Sequence, residues 1–197
     1  MSEVLLLSGG IDSIALAAWR RPAYCLTIDY GQLPAASEIA ASSSVCNALG
    51  LNHEILIIPI AQLGAGDLAG KPQSVASTNP EYWPFRNQFL ITLAAMKAVE
   101  LQCERVIIGT VASDKRHADG CENFVLQLSA LLKLQEGSIV LEAPAIKHSS
   151  LALVQESRID LSVLAWAHSC HRSNIACGRC SGCAKHSEIM QAIGWNR

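Results

Sequence analysis

Two clusters in this chain carry residue types that could do chemistry. Near the start, Leu7-Ser8-Gly9-Gly10-Ile11-Asp12-Ser13 follows the apolar run Val4-Leu5-Leu6 and precedes Ile14-Ala15-Leu16-Ala17-Ala18-Trp19, a pattern that reads as strand, glycine turn and helix. Glycine lets the backbone turn sharply and approach a ligand closely, while the helix aims unpaired N–H groups and the positive end of its dipole at that place. The chemistry this predicts is capture of an anion, and phosphate above all. An ordinary strand-to-helix turn capped by Asp12 or Ser13 would look the same, so that alternative stays open at this point. The run lacks the Lys of a Walker loop and the third Gly of a dinucleotide fingerprint.

The second cluster is Cys170, Cys177, Cys180 and Cys183, spaced Cys-x6-Cys-x2-Cys-x2-Cys, with Gly178 and Gly182 between them to allow tight turns. Four thiolates within tetrahedral reach make a structural zinc site. An iron–sulfur cluster is the alternative, although the bacterial ferredoxin pattern places its fourth cysteine downstream and before Pro, and here it lies upstream. His171 and His186 are near enough in sequence to replace a ligand. A site closed by four protein ligands leaves no open position, so the metal is expected to staple the segment and to affect the phosphate loop only indirectly.

These clusters need a frame. The chain has 197 residues, 50% hydrophobic and 16% charged, which suits a compact domain with both faces of a sheet covered. Lys and Arg number 15 against 17 Asp and Glu, for a net charge of −2, with no basic block, so capture of long nucleic acid is not expected. No apolar stretch approaches a membrane span and no basic leader opens the chain, so a soluble cytoplasmic protein is expected. The remaining cysteines, Cys25, Cys46, Cys103 and Cys121, are scattered, as thiols in a reducing compartment would be. Strands are predicted at 4–7, 23–28, 53–58, 105–109 and 139–141, with helices at 12–20, 35–49, 86–101, 122–134 and 150–157. Because the strands are continuous apolar runs separated by helices, the expected fold is α/β, a doubly wound parallel sheet. The helix from Arg86 is apolar nearly all round and is expected to be a buried central helix. The Gly- and Pro-containing stretch 59–84 has no clear period and is expected to be a lid or binding loop, or else disordered. Asp29, Tyr30, Gly109 and Asp114 all fall at C-terminal ends of predicted strands, where such sheets bind ligands. Arg86 opens its helix as a fixed guanidinium suited to phosphate or carboxylate, beside Asn87.

The Ser-Gly-Gly-x-Asp-Ser run resembles the pyrophosphate loop (PP-loop) of the N-type ATP pyrophosphatases. Together with the cysteine cluster, with Thr27-Ile28-Asp29-Tyr30-Gly31-Gln32, Pro84-Phe85-Arg86-Asn87, Ile107-Ile108-Gly109-Thr110 with Asp114, and Ser169-Cys170, it makes the whole chain similar to the 7-cyano-7-deazaguanine synthase family of queuosine biosynthesis. The resemblance implies an ATP-binding α/β domain over 1–160 and a zinc-binding segment over 161–197. It implies that Ser8, Gly9, Gly10, Asp12, Ser13, Tyr30, Asn87 and Gly109 bind ATP, that Asp12 helps place magnesium, and that Asp12, Arg86 and Asp114 are catalytic. The implied cofactors are ATP, Mg2+ and Zn2+. The implied reaction is ATP-dependent ligation of 7-carboxy-7-deazaguanine with ammonia, through an adenylated carboxylate and an adenylated amide, to the nitrile. The partners expected are this small molecule and ammonia, with a homodimer or a protein partner left open.

The chain departs from the family pattern at several places. Phe85 replaces a Gly, Leu33-Pro34 replaces a basic residue and His, and His168-Ser169 and His171 replace aromatic residues around the first zinc cysteine. Ser149-Ser150 stands where the family has Thr-Lys, which leaves two alternatives: Lys147, Lys115 or Arg116 supplies the charge near the phosphates from another place, or the second activation is lost. Two other functions stay open on these grounds. One is a divergent relative, of the kind used in bacterial antiviral defence, that adenylates a deazaguanine carboxylate and couples it to another amine such as a protein terminus. The other is a non-catalytic ATP-binding zinc scaffold. A tRNA-thiolating relative fits poorly with the lack of basic and aromatic clusters.

Overall fold

A computed structural model describes residues 2–195, apart from the side chain of Lys115. Five strands, β1 (Glu3–Leu6), β2 (Tyr24–Asp29), β3 (Asn52–Ile57), β4 (Arg105–Ile107) and β5 (Val140–Glu142), form one parallel sheet in the order β3-β2-β1-β4-β5. The register pairs Leu5 with Cys25 on one side and with Ile107 on the other. From β1 the chain winds outward through β2 to β3, then crosses back to place β4 on the opposite side of β1. That reversal opens a crevice at the C-terminal ends of β1 and β4, the place where doubly wound sheets receive ligands.

Period-two alternation along the strands divides the core into two layers. Leu5, Cys25 and Ile107 face one layer, where they meet α1 (Ile11–Arg20), α2 (Ala35–Leu49), α6 (Ser150–Ser157), α7 (Leu161–Leu164) and α8 (Ser181–Ala192). Val4, Leu26, Val106 and Leu141 face the other, against α4 (Arg86–Glu100) and α5 (Glu122–Lys133). The predicted doubly wound fold is therefore the observed one. Leu164, Ile189 and Met190 from the C-terminal segment are buried in the same layer as Leu5 and Ile14, so the segment completes the core on that face.

One expectation about an element needs correction, and another is narrowed. The helix from Arg86 is not buried all round: Ile91, Ala94, Ala95 and Ala98 face the sheet, while Met96 and Val99 are 66% and 48% exposed. A helix that forms an outer layer meets the sheet along one stripe only, and α4 has no second layer behind it. The stretch 59–84 is not a bare loop. It holds a single 3₁₀ turn and the short helix α3 (Gly66–Ala69), and it buries Leu68, Glu81 and Trp83. Among the described residues no helix is long and apolar enough to cross a membrane.

Candidate active site

At the crevice the structure encloses a cavity of about 310 Å³, within the range of small-molecule sites. Ser8, Gly10, Asp12, Ser13, Tyr30, Arg86, Asn87, Gly109 and Asp114 all line it. Thus one concavity brings together every expected ATP-binding or catalytic residue except Gly9, which forms the turn behind it.

The cradle follows from local geometry. Gly9 adopts φ +74°, and a Cβ there would stand 2.6 Å from the Glu38 carbonyl oxygen, so only glycine fits. Gly10 is the N-cap of α1 and makes no side-chain cap hydrogen bond. The Gly10 and Ile11 amides reach only the hydroxyls of Ser8 and Ser169, each at 3.4 Å. The Asp12 and Ser13 amides find no acceptor among the described residues. A helix start with free N–H groups beside a cavity has the donors that an anion site needs. Capping by Asp12 or Ser13, the bland alternative, is not what the structure shows: the Ser13 hydroxyl donates to the Gly10 carbonyl and meets Ser8, and Asp12 faces elsewhere. Gly109 lines the cavity and also lets β4 approach α1, since a Cβ there would lie 3.2 Å from the Ser13 Cα.

Opposite the cradle, α4 begins at Phe85 in the left-handed region, φ 54°, a conformation that favours glycine. Asn87 is not the cap of that helix. Its backbone N–H donates to Asp119 Oδ2 and its side-chain amide donates to the Asp119 carbonyl, both at 3.3 Å, so a residue far along the chain caps α4. Arg86 reaches toward the Tyr30 hydroxyl and the Glu38 carboxylate. Burial raises the Tyr30 hydroxyl above its ordinary range, against the opposing pull of Arg86. Burial likewise pushes the Glu38 carboxyl up to about 7, despite the hydrogen bond it accepts from Gln32 at 2.7 Å.

A second group of cavity residues was not foreseen. Glu81, 3% exposed, comes from the stretch expected to act as lid or binding loop and pairs with Arg116 and His117. Burial raises its carboxyl, but the hydrogen bond with His117, a backbone hydrogen bond and the Arg116 charge outweigh that and hold it at about 2. Burial also lowers His171 to about 4, which keeps this imidazole neutral against the cavity wall. Of the residues expected to replace the missing Lys, Arg116 lines the cavity, whereas Lys147 is 78% exposed and paired with Glu122. The side chain of Lys115 lies outside the described residues. Ser149 caps α6 and Ser150 is buried, and neither lines the cavity. The cation at the cradle is instead Lys185, whose Nζ lies 2.6 Å from Asp12 Oδ2 and 3.7 Å from Asp114 Oδ1. Nothing in its local sequence marked it except its place two residues after Cys183.

Asp114 serves its turn and the cavity at once. Its Oδ2 accepts from the Val111 N–H at 3.0 Å, as a turn residue does, and its Oδ1 faces Lys185. Asp12 Oδ1 is buried with no hydrogen-bond partner. An orphaned carboxylate oxygen beside a second carboxylate and a phosphate cradle is a donor set that fits magnesium, a hard cation that takes oxygen ligands.

The cysteine segment forms one wall of this cavity through His168, Ser169, His171, Ser181, Gly182 and Lys185. The four Sγ atoms of Cys170, Cys177, Cys180 and Cys183 lie within 4.8 Å of one another, with Cys177 and Cys183 3.9 Å apart. A tetrahedron with bonds of about 2.3 Å has edges of about 3.8 Å, so the four thiols could hold a metal such as zinc. Backbone N–H groups of His171 and Cys183 donate to Cys180 Sγ, and that of Arg172 donates to Cys170 Sγ, all at 3.4 Å. His171 instead hydrogen-bonds Ser181, and His186 faces Ser169, so neither takes a cysteine's place. Gly182 packs where a Cβ would meet the Ser169 carbonyl at 1.9 Å. The indirect link expected between this segment and the phosphate loop is a direct one: the His168 N–H donates to the Gly9 carbonyl at 2.8 Å.

Comparison with known proteins gives the family. The family model described as "Queuosine biosynthesis protein QueC" matches residues 2–194. A 7-cyano-7-deazaguanine synthase of Desulforudis audaxviator is 31% identical over 221 residues, covering 98% of this chain and 98% of that protein. One from Desulfitobacterium hafniense, 7-cyano-7-deazaguanine synthase 1, is 28% identical and covers 95% of this chain and 90% of that protein. Among solved structures, the U34-tRNA thiolase NcsA from Methanococcus maripaludis with its [4Fe-4S] cluster superposes with a TM-score of 0.52 at 15% identity. That match covers 98% of this chain and 64% of the thiolase, and it bears on the fold alone.

Proposed function

Because this chain belongs to the QueC family of queuosine biosynthesis proteins, we propose that it is an ATP-dependent 7-cyano-7-deazaguanine synthase acting on 7-carboxy-7-deazaguanine and ammonia. The observation that carries this reading is the amide cradle at Ser8–Ser13 opening into the same cavity as Arg86, Asn87, Asp114 and the cysteine wall. In the first step the substrate carboxylate attacks the α-phosphorus of ATP, pyrophosphate leaves, and an acyl adenylate forms. Ammonia then attacks the acyl carbon, AMP leaves and a proton is lost, giving the amide. The amide oxygen attacks the α-phosphorus of a second ATP, pyrophosphate leaves again and the amide nitrogen gives up one proton; loss of AMP with the second proton then yields the nitrile.

The protein's part is to position these groups and to stabilise the charge that develops. The Asp12 and Ser13 amides and the Ser8 and Ser13 hydroxyls would hold the pyrophosphate, which is where charge builds as the α-phosphate bond breaks. Gly109 and Tyr30 would flank the nucleotide, with Asn87 fixing the start of α4. Arg86 would face the substrate carboxylate or its acyl phosphate with a fixed guanidinium. Asp12 and Asp114 would hold magnesium, which supplies shielding of the phosphate charge when bound. In this reading residues 161–197, closed on zinc by the four cysteines, act as a wall that holds the loop and excludes water from the acyl adenylate.

Mass spectrometry of products tests the reading. With the carboxylated deazapurine, ammonia and ATP, the purified protein is expected to release pyrophosphate and form the nitrile. Pyrophosphate release without nitrile, with mass added to a protein amine, would replace it by amine transfer. ATP binding without turnover would leave only a scaffold.

A further inference from the structure

Lys185 projects from the early part of α8 into the phosphate cradle, its ammonium in contact with Asp12 and near Asp114. Its side chain is 30% exposed and those of the two aspartates are 16% and 33% exposed, so the three charges meet inside the cavity mouth rather than in bulk water. An ammonium between two carboxylates does electrostatically what a divalent cation would do there. The flexible four-carbon stem of lysine also lets its charge move by several ångströms while its backbone stays fixed. The backbone is fixed firmly, because α8 is capped by Cys180, whose sulfur accepts from the Cys183 N–H inside the cysteine cluster. The other described cations lining the cavity have contacts elsewhere, Arg116 with Glu81 and Arg86 with the side-chain oxygen of Asn87 at 3.4 Å.

We propose that Lys185 is a tethered counter-ion: it neutralises Asp12 and Asp114 in the nucleotide-free protein, then hands them to the divalent cation and moves its own contact to the phosphates when magnesium–ATP enters. The reasoning is competitive. Carboxylates prefer a divalent cation to an ammonium, and phosphate oxygens offer the displaced ammonium a stronger partner than water. Lys185 would thereby supply the phosphate-site charge that Ser149-Ser150 do not. The cysteine cluster would deliver a catalytic residue as well as staple the fold. This inference rests on the reading of the cradle as an ATP site.

The test compares the wild type with Lys185→Met and Lys185→Arg, all metal-loaded at the cysteines. Manganese binding without nucleotide, read from the free-ion electron paramagnetic resonance signal, should become about tenfold tighter in K185M, because its competitor for the aspartates is gone. The kcat for pyrophosphate release should fall about a hundredfold with KM for ATP little changed, as when one donor to a developing anion is lost. K185R keeps the charge and should hold the wild-type manganese midpoint and recover most of the turnover. An unchanged manganese midpoint in K185M, or an unchanged kcat, overturns the proposal. Should K185M fail to fold, K185R decides: a shifted midpoint or a kcat lost as fully as a structural defect would give overturns it. A wild-type protein that released no pyrophosphate with the deazapurine would sink the synthase reading alone, since the manganese titration would still report on Lys185.

Discussion

The backbone N–H of His168 donates to the carbonyl of Gly9 at 2.8 Å, tying the approach to the cysteine cluster to the turn that shapes the phosphate cradle. Two segments from opposite ends of the chain therefore share one rigid joint, reinforced by the contacts of Ser169 with Ile11 and Lys185 with Asp12.

Metal removal should be felt at the proposed ATP site through that joint. The purified protein is expected to carry about one zinc per chain, and chelation should lower both the melting temperature and the affinity for ATP. A demetallated protein that melted lower but bound ATP as before would show that the joint transmits nothing.

The two cradle glycines should separate fold from binding. Gly10→Ala introduces a Cβ with ordinary contacts, 3.5 Å from Ser8 Oγ and 3.8 Å from Ser169 Oγ, at a negative φ. Its stability should stay within about 1 kcal/mol of wild type, while the methyl group obstructs the phosphate and ATP affinity falls about tenfold or more. Gly9→Ala forces a Cβ against the Glu38 carbonyl at positive φ and should lose both, with destabilisation of roughly 2 kcal/mol or more. Equilibrium denaturation alongside ATP titration checks the pair; equal losses of affinity and stability in G10A would argue against the cradle.

Phe85 holds φ 54° with its side chain 75% exposed, so it bears left-handed strain with little burial in return. Phe85→Gly is expected to stabilise the protein by about 0.5–1 kcal/mol, the net of relieved strain and the greater backbone entropy of glycine in the unfolded chain. A lower melting temperature for F85G would mean that the ring packs in a way its exposure hides.

Glu38 gives a pH signature. Its carboxyl is pushed by burial from 4.5 to about 7, so between those values the folded protein keeps a proton that the unfolded chain has released. The stability tied to this group is complete below about pH 4.5 and declines as the pH rises through 7. Relative to wild type, Glu38→Gln should therefore gain stability across that interval, by on the order of 2 kcal/mol. Parallel stability–pH curves for the two proteins would refute the assignment.

Much of this protein was legible in one dimension because the relevant physics is local. A strand ending in Ser-Gly-Gly and entering a helix fixes free amides within a few residues. Four cysteines within a short span can close on one ion wherever the segment lies. Alternating strand and helix runs specify parallel crossovers, and with them the edge on which Tyr30, Gly109 and Asp114 must gather. What a window of sequence cannot hold is which solid bodies meet. The outer face of α4 carries Met96 and Val99 beside Gln88 and Thr92, so apolar residues occur all round the helix, yet only one face packs against the sheet. Asp119 caps α4, Glu81 turns into the cavity from a stretch without a period, and α8 swings Lys185 onto Asp12; each depends on docking between segments far apart in the chain. The last of these goes with the burial of Leu164, Ile189 and Met190 in one layer with Leu5, a collective packing choice that no single residue encodes, and it is what makes the cysteine segment a wall of the proposed phosphate site.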